Sequence, residues 1–355
     1  MNELKEILQE SVTRLFGDLV TREALTAAED GTWPTDLWSA VEENGLANPL
    51  IPEDRGGVGA RWEDVFVIVK AAGYFAAPVP LPETILASWL ADAAGLEVPS
   101  GPLTVARGEA QDAPTTQRSG DGWRLTGHLA AVPWGGPAKH VVTLVEKDGQ
   151  TCVALAATDN ATVEADLNIA REPRDTLKFA SAPVEVGTSV SGFAAGDVIR
   201  LYGAMMRAAQ IAGAAERALA EGVQYAKDRI QFGRPIAKFQ AIQHQLAQLA
   251  AQSAQATMAA SSAFRAADRG DPFVEIASAK IIAGETAATA TNVAHQVHGA
   301  IGFTYEHALH FTTRRLWSWR AEFGGEAEWA EELGRRVAAR GADAFWSDLT
   351  QRQSG

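Results

Sequence analysis

Apolar residues recur at helical spacing in the first part of the chain. Leu4, Ile7, Leu8 and Leu15 fall three or four residues apart or at multiples of that spacing, which is typical of one buried helix face. Further runs of the same kind continue as far as about Ser100, separated by turns rich in glycine and proline. The pattern predicts an N-terminal helical domain over residues 1–100.

The pattern then changes twice. Between residues 101 and 190, short runs rich in Val, Thr and Trp, such as KHVVTLVEKDG and TCVALAATD, alternate with Gly, Asp and Pro, which indicates strands of a small antiparallel sheet or barrel. From 195 to 350 the helical period returns in long alanine-rich segments, one of which opens at Pro272 and stops at Gly299. We therefore predict a mainly α fold with a central β domain and a C-terminal helical bundle.

Composition narrows the class of function. The chain has 355 residues, 46% of them hydrophobic, and a formal net charge of -13, which argues against a nucleic-acid surface. No apolar run reaches the length of a membrane span, and the first residues lack the pattern of a signal peptide. The lone Cys152 permits no internal disulfide and fits a reducing compartment. We expect a cytoplasmic protein without membrane insertion.

One candidate site lies at a break between two helix-like stretches. Arg229 falls near the end of the first stretch, Gln231 and Phe232 occupy the break, and Pro235 restarts the chain. An arginine beside an aromatic ring is suited to a pyrophosphate or carboxylate joined to a flat ring. A cation that complements the helix dipole is the alternative, and the residues alone leave both open.

A second candidate site is the turn AHQVHGAIGFTYEH, residues 294–307. Gln296, Gly299 and Gly302 bracket a helix-to-helix turn where glycine allows close approach of the backbone to a ligand. Two histidine pairs spaced three residues apart lie nearby, but no cysteine or suitably spaced carboxylate accompanies them. We therefore expect no metal site here.

These motifs resemble a known family. YAKDRIQFGRPIAKFQAIQHQLA (225–247) and QVHGAIGFTYEH (296–307) are similar to two long motifs of the acyl-CoA dehydrogenases, and GLANPLIPEDRGGVGA (45–60) looks like the turn of their first domain. The resemblance implies an N-terminal helical domain, a central β domain and a C-terminal four-helix bundle. It also implies a tetramer with FAD bound between subunits.

The resemblance assigns roles to individual residues. Arg229 would meet the FAD pyrophosphate in a turn that includes Gln231, and Phe232 would pack near a flavin held largely by the neighbouring subunit. Gln296 and Gly299 look like the family's contacts to the ADP portion of FAD. The reaction implied is removal of an α-proton from an acyl-CoA thioester by a carboxylate, with hydride transfer to the flavin. An electron-transfer flavoprotein or a similar acceptor would then reoxidise the cofactor.

The catalytic base of the family is absent from both of its usual positions. Most members carry a glutamate just after the helix that follows the second motif, and Phe323 stands there, followed by the matching Gly324. A second group carries the glutamate on the first long helix of the C-terminal domain, where a gap-free alignment places Gly203. The segments that line the flavin in the β domain are also missing, and AAVPWGGPA around Trp134 is at best a weak counterpart of one of them.

Three functions remain open. The favoured hypothesis is that the chain completes the flavin site of a catalytic partner, like the shortened non-catalytic chain of heterotetrameric acyl-CoA dehydrogenases of steroid side-chain degradation. The second is a self-sufficient homotetramer whose base is Glu322, one residue from the expected place, or Asp197. The third is a structural subunit that binds no FAD.

An oligomer needs a subunit interface. Trp317, Trp319 and Trp329 near the C-terminus are candidates for such a surface because tryptophan is enriched at interfaces. Burial in the core is the alternative for each of them.

Overall fold

The secondary-structure elements lie in three zones along the chain in the computed structural model, which describes residues 3–108, 114–120, 122–189 and 198–353. Its helices are α1 (Glu3–Leu19), α2 (Arg22–Glu29), α3 (Thr35–Glu43), α4 (Trp62–Tyr74), α5 (Leu81–Ala93), α6 (Val198–Asp228), α7 (Gln240–Ala267), α8 (Phe273–His298), α9 (Leu309–Ala321), α10 (Glu326–Arg340) and α11 (Ala342–Gln353). Its strands are β1 (Leu103–Val105), β2 (Thr115–Ser119), β3 (Gly122–Pro133), β4 (His140–Lys147), β5 (Gln150–Ala157), β6 (Ala161–Glu164), β7 (Arg174–Val186), β8 (Ile230–Gln231) and β9 (Arg234–Pro235).

The predicted fold class is confirmed, because helices precede and follow one zone of strands. The division at residues 100, 190 and 195 stays a prediction. The face predicted for the first helix is correct only in part: Leu8 and Leu15 are buried in the core, whereas Ile7 is 55% exposed. Val12 and Phe16 complete the buried face of α1.

The central zone forms one sheet with strand order β1-β4-β5-β7-β3-β2, and β6 pairs with β7 outside this path. Its pairings are antiparallel, as predicted, except that β1 pairs with β4 in parallel. Apolar side chains from β3, β4, β5 and β7 form a separate small core. Cys152 is buried in β5. Closure of the sheet into a barrel stays a prediction.

The C-terminal zone is built on three long helices, α6, α7 and α8, of 31, 28 and 26 residues. They pack against one another, with α9 against α6 and α8 and with α10 against α8. Helix α8 ends at His298, and Gly299 follows with a φ of +64°, so the predicted stop is confirmed. The helix begins at Phe273 after Pro272, close to the predicted start.

Two glycines let the N-terminal zone pack closely on the bundle. A Cβ atom at Gly73 of α4 would lie 2.0 Å from the carbonyl oxygen of Gln210, and one at Gly213 of α6 would lie 2.0 Å from the carbonyl oxygen of Lys70. The two helices therefore touch backbone to backbone, each through a glycine of its own. This crossing fixes where the N-terminal helices sit on α6.

We predict that Gly213→Ala lowers stability by about 1 to 3 kcal/mol, because the new methyl group forces two helix backbones apart. The matched control is Gly334→Ala on the exposed side of α10, where a Cβ meets no atom within 4 Å. The control should raise stability by up to about 1 kcal/mol. Thermal unfolding followed by circular dichroism measures both, and equal melting temperatures for Gly213→Ala and wild type would contradict the close crossing.

Candidate functional site

The first sequence motif folds into a short hairpin at the end of α6. Arg229 follows the last residue of α6 and donates its backbone N–H to the carbonyl of Tyr225 (2.9 Å). Strands β8 and β9 pair on either side of Phe232 and Gly233, whose φ angles of +52° and +77° make a tight turn. Gln231 lies in β8 and not in the loop that the sequence predicted.

Phe232 sits at the tip of this hairpin and is 93% exposed. A phenylalanine with positive φ costs of order 1 kcal/mol or more, and such strain persists where the surroundings or a ligand require it. The ring meets that of Phe239 edge-on at 6.1 Å and otherwise faces away from the chain. The hairpin therefore presents Phe232 and the exposed Arg229 outwards.

The second motif forms the end of α8 and a 3-10 segment, Gly299–Phe303. Gln296 and Gly299 are exposed, and a Cβ atom at Gly299 would meet nothing within 4 Å. Both line an open groove with a volume of about 750 Å³. The groove is bounded by Thr291, Asn292, His295, Gln296, Gly299, Ala300, Phe303 and Trp317.

Both motifs lie at the same end of the bundle. The ring of Tyr225, one turn before Arg229 on α6, packs against the ring of His298 on α8 with 4.5 Å between centroids. His298 directly precedes Gly299 and also contacts His307 at 4.6 Å. The fold thus gathers the residues predicted to bind FAD at one end, although their contact with the cofactor stays a prediction.

The histidines of this region contact other protein groups. The Nδ1 atom of His298 lies 2.7 Å from the carbonyl oxygen of Ala294, and that of His310 lies 2.8 Å from the carbonyl oxygen of His307. Burial lowers the pKa of both rings, so they are neutral at pH 7. In the part of the chain that the structure describes, no group of three or more His, Cys, Asp or Glu side chains could hold a metal ion.

The two positions from which the base is missing meet in space. Phe323 follows α9 by two residues and has a φ of +56°, and the following Gly324 has a φ of +95°. A Cβ atom at Gly203 would lie 2.5 Å from Cδ1 of the Phe323 ring and 2.6 Å from Cε1. The ring therefore fills the space that a side chain at position 203 needs. Neither position offers a carboxylate, and the phenyl ring leaves no room for one from α6.

Glu322 points into the protein beside this contact. Its side chain is 17% exposed, and its oxygens accept hydrogen bonds from Nε of Arg174 (2.9 Å) and Nε of Arg207 (2.7 Å). Glu322 is therefore mostly buried and paired, although it follows the end of α9. Burial alone raises the pKa of this carboxyl, but the charges of Arg174 and Arg207 outweigh burial and lower the pKa to about 2.

A carboxylate with such a low pKa is a weak proton acceptor, so the geometry does not support Glu322 as the base. Asp197, the other candidate, lies outside the described residues.

Glu322 belongs to a buried ion network that joins all three zones. Arg207 of α6 donates to Glu322 and, through a terminal nitrogen, to Glu83 of α5 at 2.5 Å. Arg174 of β7 donates to Glu322 and to Glu172 (3.1 Å). On its other side, Glu172 accepts from Nε of Arg315 in α9 at 3.1 Å.

The network balances three carboxylates against three guanidinium groups. Its members are Glu83, Glu172, Glu322, Arg174, Arg207 and Arg315, and the exposed fraction of every side chain other than Glu322 is below 10%. Indole Nε1 of Trp319 and the amide of Asn168 supply further hydrogen bonds to Glu172. Buried charges persist only when they are paired and hydrogen-bonded in this way.

Sequence reasoning did not identify this network. Its residues come from five separate segments and share no spacing. The one available signal was a single charge, Arg207, inside the apolar run AMMRAAQIAGAA of α6, because a lone charge on a buried helix face requires a partner.

The C-terminal tryptophans divide into two groups. Trp319 and Trp329 are each 1% exposed and belong to the core, so only Trp317, at 39%, remains available to a surface contact. Trp134, the weak counterpart of a flavin-lining segment, is buried, and its ring meets that of Trp33 edge-on at 6.5 Å.

Comparisons with known proteins agree with this architecture. The family model for the acyl-CoA dehydrogenase N-terminal domain matches residues 2–95, and that for the C-terminal domain matches residues 201–337. Together they cover well over half of the chain. The chain belongs to the acyl-CoA dehydrogenase family, which confirms the predicted enzyme class and, at the level of the family, FAD as the cofactor.

Several individual proteins are similar to most of this chain. The chain is 33% identical over 321 residues to the acyl-CoA dehydrogenase FadE34 of Mycobacterium tuberculosis, which covers 86% of this chain and 42% of that protein. It is 29% identical to IpdE2 of the same organism, over 88% of this chain and 91% of that one. Its fold matches the steroid acyl-CoA dehydrogenase Tcur3481-Tcur3483, solved as a variant, with a TM-score of 0.85 and 27% identity over 96% and 99% of the two chains.

Within the described residues, no helix is both long enough and apolar enough to span a membrane.

We predict that Glu322→Gln lowers stability by about 3 to 5 kcal/mol at pH 7, because it leaves two buried arginines short of one negative charge. The folded-state pKa is depressed from 4.5 to about 2, so the contribution of Glu322 is present above pH 4.5 and is lost as the pH falls towards 2. The difference in melting temperature between wild type and variant should therefore shrink over that range.

The matched control is Glu331→Gln, an acid on α10 that is 74% exposed and pairs with Arg335 in the same helix. It should change stability by less than about 0.5 kcal/mol. A constant gap between Glu322→Gln and wild type from pH 7 down to pH 3 would show that the carboxylate is not held ionised by the network.

Proposed function

We propose that this chain is a subunit of an acyl-CoA dehydrogenase that completes the flavin site of a catalytic partner chain and has no catalytic base of its own. The observation that carries the proposal is the packing of the Phe323 ring over Gly203. The two positions at which family members carry the base, 203 and 323, are in contact, and neither holds a carboxylate.

The reaction explains why this contact is decisive. Dehydrogenation of an acyl-CoA requires a carboxylate that takes the α-proton, while FAD supplies the hydride acceptor when it is bound. A phenyl ring cannot take a proton. The carboxylate next to Phe323 in the chain, Glu322, is engaged by Arg174 and Arg207, and its low pKa makes it a poor base.

The exposed turns at the end of α6 and the end of α8 are suited to binding the cofactor. The Arg229 guanidinium is available for a pyrophosphate, Phe232 offers a free aromatic face, and Gln296 with Gly299 offers an amide beside open backbone. These groups fit the phosphate, ring and nucleoside parts of FAD. Because they point outwards from one end of the bundle, they can serve a cofactor that is seated mainly on another chain.

The surrounding assembly follows from this assignment. We infer a hetero-oligomer, of the tetrameric kind usual in the family, in which a full-length acyl-CoA dehydrogenase contributes the base and most of the flavin pocket. The similarity to a steroid acyl-CoA dehydrogenase supports a bulky acyl-CoA as the substrate of the complex. Electrons would leave through an electron-transfer flavoprotein or a similar acceptor in the cytoplasm.

The test is to co-express the chain with a full-length acyl-CoA dehydrogenase encoded beside it and to measure FAD retained by the purified complex. Arg229→Ala should weaken FAD binding roughly tenfold or more, since a charged hydrogen bond to phosphate is lost. Arg335→Ala, which removes a 68% exposed arginine from α10, is the control and should leave FAD unchanged.

Equal FAD content in Arg229→Ala and Arg335→Ala complexes would contradict the proposal and favour a structural subunit that binds no FAD. Stoichiometric FAD and turnover in the chain purified alone would instead favour a self-sufficient enzyme and direct attention to Asp197.

A further inference from the structure

Four of the seven histidines of the chain lie between residues 295 and 310, at one end of the bundle. They are His295, His298, His307 and His310. The ring of His298 contacts two other rings, that of Tyr225 at 4.5 Å and that of His307 at 4.6 Å between centroids. His310 in turn contacts the ring of Tyr305 at 5.1 Å. These ring contacts join the end of α8 and the residues that follow it to α6.

We propose that His298 controls an acid-sensitive joint, in which segment 299–308 stays packed on α6 and α8 while the ring is neutral and detaches when the ring is protonated. The joint belongs to this chain alone and needs no bound cofactor or partner chain. Its opening would also affect the candidate site, because Gln296 and Gly299 flank His298 and would lose their fixed positions.

The surroundings of His298 do not accommodate a positive charge. The residue is 3% exposed, and its Nδ1 lies 2.7 Å from the carbonyl oxygen of Ala294. Because a carbonyl oxygen only accepts, Nδ1 carries the proton of the neutral ring and Nε2 is an acceptor. Nε2 is buried and has no hydrogen-bond partner among the described residues. A second proton there would create a cation that water does not reach.

Burial decides the balance at this ring. It lowers the pKa of His298, although the carbonyl of Ala294 and the negative charge of Glu221 act in the opposite direction. The charge of Glu221 is already shared, since Nε of Arg217 donates to it at 2.6 Å. The neutral ring is therefore the form that the closed segment favours.

The other acids near the cluster offer little compensation. Glu29 of α2, whose charge acts on His310, pairs with Arg314 of α9. Glu306 lies in the segment itself but is exposed, where solvent screens its charge. A new buried cation thus gains little from either carboxylate.

Positive charge already surrounds the other rings of the cluster. Burial lowers the pKa of His307 and His310, and the charge of Arg22 lowers both further. Burial also lowers the pKa of His295, and His298 adds to that effect. Each proton that the cluster takes up therefore makes the next one less favourable.

Few apolar contacts hold the segment in place. Ile301, Phe303 and Tyr305 are 37%, 75% and 72% exposed. A cavity of about 120 Å³ is lined by Ala308 together with Phe311 and Glu221 among others, so packing is incomplete there. Besides the rings, a hydrogen bond of 2.7 Å from Arg22 to the carbonyl of Tyr305 attaches the segment to α2. Local opening therefore exposes little apolar surface that is now buried.

The pH range follows from the direction of the pKa shifts. In the closed state the pKa of all four rings is below the ordinary value of 6.5, and it returns towards that value when the rings meet water. The closed state is therefore fully favoured above pH 6.5 and loses stability as the pH falls through the lowered pKa. Each ring released in this way raises the opening equilibrium by up to about tenfold per pH unit.

Hydrogen exchange of the full chain, corrected for the intrinsic pH dependence of amide exchange, measures the opening at about pH 7.5 and about pH 5.5. Protection of residues 299–308 should fall roughly tenfold or more at the lower pH, whereas that of α7 should not. His298→Phe keeps an aromatic ring against Tyr225 but cannot take a proton, so its fall should be much smaller. His128→Phe, in β3 and outside the cluster, is the control and should behave as wild type.

A second variant and a direct titration make the test decisive. His298→Asn is smaller than His298→Phe, can still donate an amide hydrogen to the carbonyl of Ala294, and also takes no proton. NMR of the histidine-labelled wild type follows the protonation of His298 itself. The joint is overturned if His298 titrates at 6.5 or above, if wild type keeps its protection at low pH, or if either variant loses as much protection as wild type.

Discussion

The ring of Phe323 occupies the space that a side chain at Gly203 would need, and the proposal that this chain has no catalytic base of its own depends on that contact. The backbone at Phe323 adopts a left-handed conformation that costs a non-glycine residue of order 1 kcal/mol. Its carbonyl accepts a hydrogen bond of 3.0 Å from Nε1 of the buried Trp329, which anchors the turn. The following Gly324 also has a positive φ, which glycine adopts without steric strain because it has no Cβ.

Glu322, which precedes Phe323, belongs to the buried ion network, and its ion pairs anchor the turn. Glu322 is joined to Arg207 on α6 and to Arg174 on β7, so the end of α9 is attached to the bundle and to the sheet together. The Arg207 guanidinium also lies 5.5 Å from the centroid of the Phe323 ring. A buried network of this kind contributes less to net stability than to a single defined arrangement, because desolvation offsets most of the attraction.

Much of the fold could be predicted from the sequence because it depends on local patterns. The stop of α8 at Gly299 and the change from helical to strand periodicity were visible in single segments. The contact between Gly203 and Phe323 was not visible in any single segment, because it joins residues far apart in the chain whose types do not indicate that they are close in space. The pairing of Glu322 could not be predicted for the same reason, because its partner Arg174 lies in the central zone and Arg207 lies far away on α6.

The candidate cofactor site could also be predicted only in part. The motif at Arg229 predicted a turn, but the strained exposure of Phe232 and the pairing of β8 with β9 needed coordinates. Trp317 could not be told from Trp319 and Trp329 by sequence, since all three lie near one another and only packing buries two of them. Local spacing locates a turn, whereas burial and the grouping of side chains from different helices decide what the turn can bind.

The most direct test of the account is the visible spectrum and native mass of the chain, purified alone and after co-expression with the proposed catalytic partner. We expect the chain alone to carry little or no flavin and the complex to be yellow, with FAD bleached by an acyl-CoA only when both chains are present. A yellow homotetramer of this chain alone that bleaches on addition of an acyl-CoA would contradict the claim that its own site has no base.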